Sequence, residues 1–342
     1  MLYVTTRGQR DVFTSHWAMT HEAEHGQLIP MHFPMPTQEE MAQIPRRSFN
    51  QNVAWVLELM HRERISAWDV DMALGKHPLD LVDLNSRTTA ARLWWGADRG
   101  FDQFVTRLFR IFSRDPGERP GSWFVLTVRL AVMVGILGRL MAEGLVSSGE
   151  KIDISVPSMD FQFPMAVWYA RRWGLPIGRI ICCCNENNAP WVLMNQEEVR
   201  MDRPARRTIM SACDQAVPAG LERLIYETLG QHEAERFGTA LEQRTRYRLE
   251  ESQRRMLRRE MAVSVISQRR LRFLLPNLFR DGQWMDPYAA MSYAGLVDHR
   301  AHTGDTGRGL ILCQEDPVLH ARLLSGELGI TEELLRQRLG RL

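Results

Sequence analysis

Apolar residues recur along this chain with two periods that alternate in blocks. Leu2 to Thr6 alternates as a short strand does. The stretch 50–65, opening Asn50-Gln51-Asn52-Val53-Ala54-Trp55-Val56-Leu57, repeats every three to four residues and predicts a helix. Residues 66–75 and 101–113 carry the same helical spacing. The dense Pro/Gly run Asp115-Pro116-Gly117-Glu118-Arg119-Pro120-Gly121 predicts a loop. A long helix follows over about 122–145. Ile152-Asp153-Ile154-Ser155-Val156 reads as a strand, Pro164 to Trp173 as a helix stopped by Gly174, and Ile180 to Cys184 as a second strand. That order predicts a right-handed parallel crossover in an α/β sheet. Beyond it, 219–228 reads as a helix, 231–262 as one long Arg/Glu helix, Leu310 to Cys313 as a late strand and 331–341 as a terminal helix. There is no internal repeat and no low-complexity tract.

Composition narrows this picture without changing it. The 342 residues are 44% hydrophobic and 25% charged, enough for one large or two modest domains. A net charge of +2 supplies no global field toward nucleic acid or a membrane. The N-terminus has no basic segment leading into an apolar one, so it does not read as a signal peptide. Between Trp123 and Val146 the longest uncharged run, Leu130 to Gly138, is far shorter than the roughly 20 residues of a membrane span, and a buried helix is expected. Five cysteines, three of them adjacent (Cys182, Cys183, Cys184, then Cys213 and Cys313), form neither a disulfide framework nor a zinc pattern. They are expected to fill a buried strand in a reduced, cytoplasmic protein. His16, His21 and His25 recur closely, with His21 and His25 at a spacing that can bind zinc on a helix. No third ligand stands out, so they read as a polar helix end, and no metal site is expected.

One count bears on chemistry. Only Lys76 and Lys151 supply lysine amines, against 41 arginines. The bias itself reads as codon usage. Eight arginines of the 231–262 helix (Arg236, Arg244, Arg246, Arg248, Arg254, Arg255, Arg258, Arg259) could track phosphates. Glu233, Glu235, Glu242, Glu250, Glu251 and Glu260 are interleaved with them, which favours an ion-paired, solvated helix or a homodimer surface over a nucleic-acid site.

Several segments, taken in order, resemble threonine synthases. Tyr3-Val4-Thr5-Thr6-Arg7-Gly8 is similar to that family's Y-x-S-T-R-G opening, and Glu24-His25-Gly26-Gln27-Leu28-Ile29-Pro30 to its D-G-G-L-F-V-P turn. Val156-Pro157-Ser158-Met159-Asp160-Phe161 resembles V-P-T-G-N-F, Tyr169-Ala170-Arg171-Arg172-Trp173-Gly174-Leu175-Pro176-Ile177 resembles Y-A-K-K-M-G-L-P-I, and Asn185-Glu186-Asn187-Asn188 resembles the A-T-N-E-N region. Arg129 falls where the family's N-x-x-R helix has its arginine, with Leu126 in place of the asparagine. Ala212-Cys213-Asp214 with Leu221-Glu222-Arg223-Leu224, Asp286-Pro287-Tyr288-Ala289-Ala290, and Leu312-Cys313-Gln314-Glu315-Asp316-Pro317 continue the likeness to the C-terminal side. The resemblance implies an α/β three-layer sandwich with a largely parallel central sheet, similar to the tryptophan synthase β fold and the large domain of fold type II enzymes. Those enzymes use pyridoxal phosphate, and this family converts O-phosphohomoserine to threonine and phosphate. An N-terminal region over 1–100 and a large domain over 101–342 are expected.

Four departures from the family pattern bear on that activity. The family's L-F-H-G-P-T-L-A-F-K-D-F falls on Leu93-Trp94-Trp95-Gly96-Ala97-Asp98-Arg99-Gly100-Phe101-Asp102-Gln103-Phe104, so the imine-forming lysine position holds Asp102. A carboxylate forms no imine and repels an anionic cofactor. In the phosphate turn, Ser158-Met159-Asp160-Phe161-Gln162, both glycines are replaced by Met159 and Gln162 and an asparagine by Asp160. An ordinary strand-to-helix turn capped by Ser158 or Asp160 is then expected. The pyridine-nitrogen position falls on Gln314, which retains hydrogen-bonding capacity. The small subdomain that closes over substrate is expected to be missing near 111–122, and the Thr303-Gly304-Asp305-Thr306-Gly307 copy of its G-D-T-G loop reads as a turn.

Trp94 and Trp95 are expected to pack in the former cofactor cleft. The leading expectation is a threonine synthase-like protein without catalysis and without bound pyridoxal phosphate, holding a small molecule or protein partner. Its vestigial pocket comprises Ser158, Met159, Asp160, Phe161, Gln162, Asn185, Asn187 and Gln314. The alternatives are a lyase that holds pyridoxal phosphate or another phosphate ligand noncovalently through Asn185, Asn187 and Gln314, and a nucleic-acid binder acting through 231–262.

Overall fold

A computed structural model describes residues 1–340 except 9–11, 75–78, 94–99 and 148. The N-terminal portion forms β1 (Leu2–Thr5), β2 (Phe13–Thr14), α1 (Ser15–Thr20), β3 (Leu28–Pro30), α2 (Gln38–Gln43), α3 (Phe49–His61) and α4 (Ala67–Leu74). The starts of α2 and α3 are written in the sequence. Thr37 with Glu40, and Ser48 with Gln51, are reciprocal capping boxes that satisfy otherwise orphaned N–H groups. The middle portion forms β4 (Leu79–Asn85), β5 (Thr88–Leu93), α5 (Phe101–Phe112), α6 (Ser122–Ala142), β6 (Ile152–Pro157), α7 (Gln162–Arg172), β7 (Ile177–Cys184) and α8 (Ala189–Asn195). The remainder forms β8 (Glu198–Arg200), α9 (Leu221–Leu229), α10 (Gln231–Glu242), β9 (Arg246–Arg248), α11 (Glu251–Glu260), β10 (Ala262–Val265), α12 (Gln268–Arg280), α13 (Pro287–Thr303), β11 (Gly309–Cys313), α14 (Ala321–Leu328) and α15 (Glu332–Leu339).

The central sheet has the order β10-β7-β6-β11-β5-β4, parallel throughout except for the antiparallel β4–β5 hairpin at one edge. Period-two alternation sends its side chains into two separate cores. Ile152, Ile154, Val156, Cys182, Cys184, Leu310 and Leu312 join the core beneath α3, α6 and α7. Ala90, Ile181, Cys183, Ile311 and Cys313 join the core built with α12, α13, α14 and α15. The result is the expected three-layer α/β arrangement, with the adjacent cysteines of β7 dividing between its two faces. All five cysteines are buried and free.

Helix α6 is the axis of the larger core. It is long and apolar enough to cross a membrane, but 16 of its 21 residues are buried inside the fold. Gly138 makes its packing possible, since a Cβ there would sit 2.9 Å from the Ile44 carbonyl oxygen and 2.6 Å from Asn52 Nδ2. Helix α5 meets α6 through the short loop 113–121.

One long helix over 231–262 is not what forms. Gln243 ends α10, Arg244 adopts left-handed backbone (φ 51°), and Tyr247 enters the short strand β9. The Tyr247 ring lies edge-on to Phe237 and its hydroxyl donates to Glu233 Oε2 at 2.9 Å. A Glu250–Gln253 capping box then starts α11. Burial of Tyr247 and Leu249 overrides the helical propensity of the surrounding Arg and Glu residues. The expected i,i+4 histidine pair also dissolves: α1 ends at Thr20, His21 is its C-cap, and His25 lies beyond in a bend beside Glu242.

Candidate functional site

In open parallel sheets, ligands bind outside the carboxyl ends of the strands. Here β6, β7 and β11 deliver Ser158–Gln162, Asn185–Asn187 and Gln314 to that edge, and α5 starts beside it. The residues assigned from sequence to the vestigial pocket thus all follow strands at this edge. Trp94 and Trp95 lie outside the described residues.

The turn after β6 has an unusual backbone although it contains no glycine. Met159 (φ 38°) and Phe161 (φ 67°) both have left-handed φ, which L side chains adopt at a cost of order 1 kcal/mol. Two of its N–H donors bond within the turn. Phe161 N–H donates to the Ser158 carbonyl at 2.6 Å, and Gln162 N–H to Asp160 Oδ1 at 3.2 Å. The Cys213 thiol lies beside the Ser158 hydroxyl and the Met159 backbone, and burial pushes it up to about 12, so it is a neutral thiol. The N-cap of α7 is Phe161, so neither Ser158 nor Asp160 occupies the cap position, although the Asp160 carboxylate does accept the first-turn N–H. A carboxylate thus stands where an anion-binding turn would present N–H groups.

Asn185 and Asn187 are committed to the protein. Asn185 Nδ2 donates to Asp214 Oδ1 (2.7 Å) and Thr208 Oγ1 (2.9 Å), and its Oδ1 accepts from Asn187 N–H. Asn187 Nδ2 donates to the Arg206 carbonyl and to Asp214 Oδ1, while its Oδ1 accepts from Arg206 N–H. Asp214 also accepts from the Thr208 N–H and hydroxyl. The two amides lock the 206–214 loop onto the end of β7.

At the opposite side of the edge, Arg129 projects from α6 and is 4% exposed. Its guanidinium lies 4.5 Å from the Phe101 ring centroid and 5.2 Å from that of Phe163. Its Nη1 donates to Gln314 Oε1 at 2.9 Å. Phe101 and Phe163 are themselves buried. Asp102, next to Phe101 on the first turn of α5, is exposed, where a negative charge complements the helix dipole.

Sequence reading missed a neighbouring cluster. Asp286 caps α13 by accepting from the Tyr288 and Ala289 N–H groups, and burial pushes its carboxyl up to about 6. His320 Nε2 lies 2.5 Å from Glu315 Oε2. Burial would lower the His320 pKa, but the contact with Glu315 and the nearby Asp286 raise it on balance. The signal available in sequence was the Asp286-Pro287 pair, a helix-start pattern.

No protein-family profile matches the chain. Among curated proteins it is similar to threonine synthase-like 1 of Homo sapiens, 27% identical over 89 residues, which is 25% of this chain and 12% of that protein. The protein of the same name from Mus musculus is 25% identical over 107 residues, or 31% and 14% of the two chains. The match thus spans about an eighth of the length of these curated relatives. Its solved structural neighbours are threonine synthases. The enzyme from Brucella melitensis, solved with pyridoxal phosphate bound, superposes with a TM-score of 0.78 at 18% identity over 96% of this chain and 92% of that one. The yeast enzyme gives 0.79 at 14% identity over 100% and 94%, and that of Escherichia coli 0.73 at 14% over 97% and 92%. The chain has the threonine synthase fold.

The described residues do not fit an imine-linked cofactor. Lys151 is exposed immediately before β6, at the amino end of that strand, about 20 Å from its carboxyl edge at ~3.3 Å per residue. Lys76 lies outside the described residues.

Proposed function

We propose that this chain is a threonine synthase-like protein that does not carry out the family's imine chemistry and uses its remodelled cleft to hold a small ligand or protein partner. The supporting observation is the buried guanidinium of Arg129, stacked on Phe101 and Phe163 and bonded to Gln314, beside an exposed Asp102 at the position of the family's lysine. Three further features agree with it. In the turn after β6, the Phe161 and Gln162 N–H groups are taken by the Ser158 carbonyl and the Asp160 carboxylate. Asn185 and Asn187 are saturated by protein partners. Five buried thiols suit a reducing, cytoplasmic setting. A buried cation without a candidate imine lysine among the described residues supports binding over catalysis. Phosphate release from O-phosphohomoserine tests the reading. The expected result is no turnover with or without added pyridoxal phosphate, and turnover abolished by substitution of Arg129 or Gln314 would reject it.

A further inference from the structure

A second concavity lies on the far side of Asn187, in the loop between β8 and α9. Arg200 at the end of β8 and Arg203, Arg206 and Arg207 in this loop crowd eight residues against a single acid, Asp202. Arg200 takes that acid in a two-pronged pair, Nε to Oδ1 at 3.1 Å and Nη2 to Oδ2 at 2.7 Å. Arg203 and Arg206 are exposed and pair with no carboxylate among the described residues. Both line, with Arg200, a cavity of about 530 Å³ whose apolar wall includes Val192 and Val199. The lip is held in place: Asn187 grips both the N–H (2.7 Å) and the carbonyl (2.8 Å) of Arg206. Only one acid, Glu186, shares the wall. Its Oε1 accepts the Gln268 N–H at 2.9 Å, and its Oε2 is buried with no partner.

We infer that this cavity binds a phosphate-bearing small molecule, with Arg203 and Arg206 taking the phosphate. Two unneutralised guanidiniums on one concave surface match a dianion, because each can offer two parallel N–H donors to phosphate oxygens. The unpaired Glu186 oxygen is placed to accept a hydroxyl or N–H carried by the same molecule. The assignment does not rest on Arg129 or the turn after β6, neither of which lines this cavity, although Asn187 borders it.

Isothermal titration of the full chain with inorganic phosphate and with glycerol 3-phosphate, at fixed ionic strength, tests it. Saturable one-site binding is expected, tighter for the ester. Affinity should fall at least tenfold in Arg203→Ser/Arg206→Ser and stay within twofold in Arg207→Ser/Arg255→Ser, which removes equal charge from exposed arginines outside the cavity. No saturable heat with either probe, or an equal loss in the two double variants, would overturn the site.

Discussion

Arg129 reaches from the middle of α6 to the end of β11 and donates to Gln314 Oε1 at 2.9 Å, tying two layers of the fold together at the ligand edge. The bond matters because the guanidinium is buried and forms no ion pair among the described residues, lying otherwise against the Phe101 and Phe163 rings. Gln314→Leu should cost about 2 kcal/mol, the scale for stranding a charged donor. Arg129→Met/Gln314→Leu should cost less than the sum of the two single changes. Urea unfolding of the four proteins checks the coupling.

Asp214 is the hub of the 206–214 loop, accepting from Asn185, Asn187 and twice from Thr208. Asp214→Ala strands several of these donors and should destabilise the protein by roughly 2–4 kcal/mol. Cleavage by trypsin after Arg206 or Arg207 should accelerate at the same time, which limited proteolysis with mass mapping would show.

At the amino end of the sheet, Asp153 is pushed up to about 7 by burial and then by its neighbour Asp305. A carboxyl whose pKa rises on folding holds its proton more tightly folded than unfolded. Its contribution is therefore complete below the unfolded value near 4 and is lost as pH climbs through 7. Asp153→Asn keeps the oxygen that accepts the Arg179 N–H and can donate to Asp305. It should flatten the pH dependence between 4 and 7 and exceed the parent's stability at pH 8 by about 1 kcal/mol, measured by unfolding at a series of pH values.

Restoring a lysine at Asp102 should not restore the cofactor. Asp102→Lys places a cation on the first turn of α5, costing about 0.3–1 kcal/mol against the helix dipole. The turn after β6 still engages the Phe161 and Gln162 N–H groups internally and holds the Asp160 carboxylate. Pyridoxal phosphate added to this variant should give no stable visible Schiff-base band. A stable band would show that the phosphate turn is still competent.

Much of the architecture was legible because it follows local rules. The β6–α7–β7 crossover, the buried Cys182–Cys184 run and the long core helix α6 each carry an unmistakable period, and the Thr303–Gly307 turn shows in its Gly and Asp: Gly304 caps α13 in left-handed backbone and Gly307 N–H donates to Asp305. The β4–β5 hairpin escaped notice because Thr88-Thr89-Ala90-Ala91-Arg92 has no clear alternation, being buried on both faces. The break in 231–262 was hidden by a charge pattern that suits either one helix or two, although the Glu250–Gln253 spacing marked the second start. At the site, the resemblance puts Asp102 where the family has its lysine, an expectation that rests on one residue. That Asn185 and Asn187 would serve Asp214 and Arg206 could not be read, since those partners sit 19 to 29 residues away and meet only in the folded chain.

The central claim is that no lysine of this protein holds pyridoxal phosphate as an imine. Incubation with the cofactor, borohydride reduction and peptide mass mapping of Lys76 and Lys151 tests it most directly. The expected result is only scattered substoichiometric labelling and no discrete absorbance band. One equivalent of reduced pyridoxyl adduct on either lysine would contradict the account.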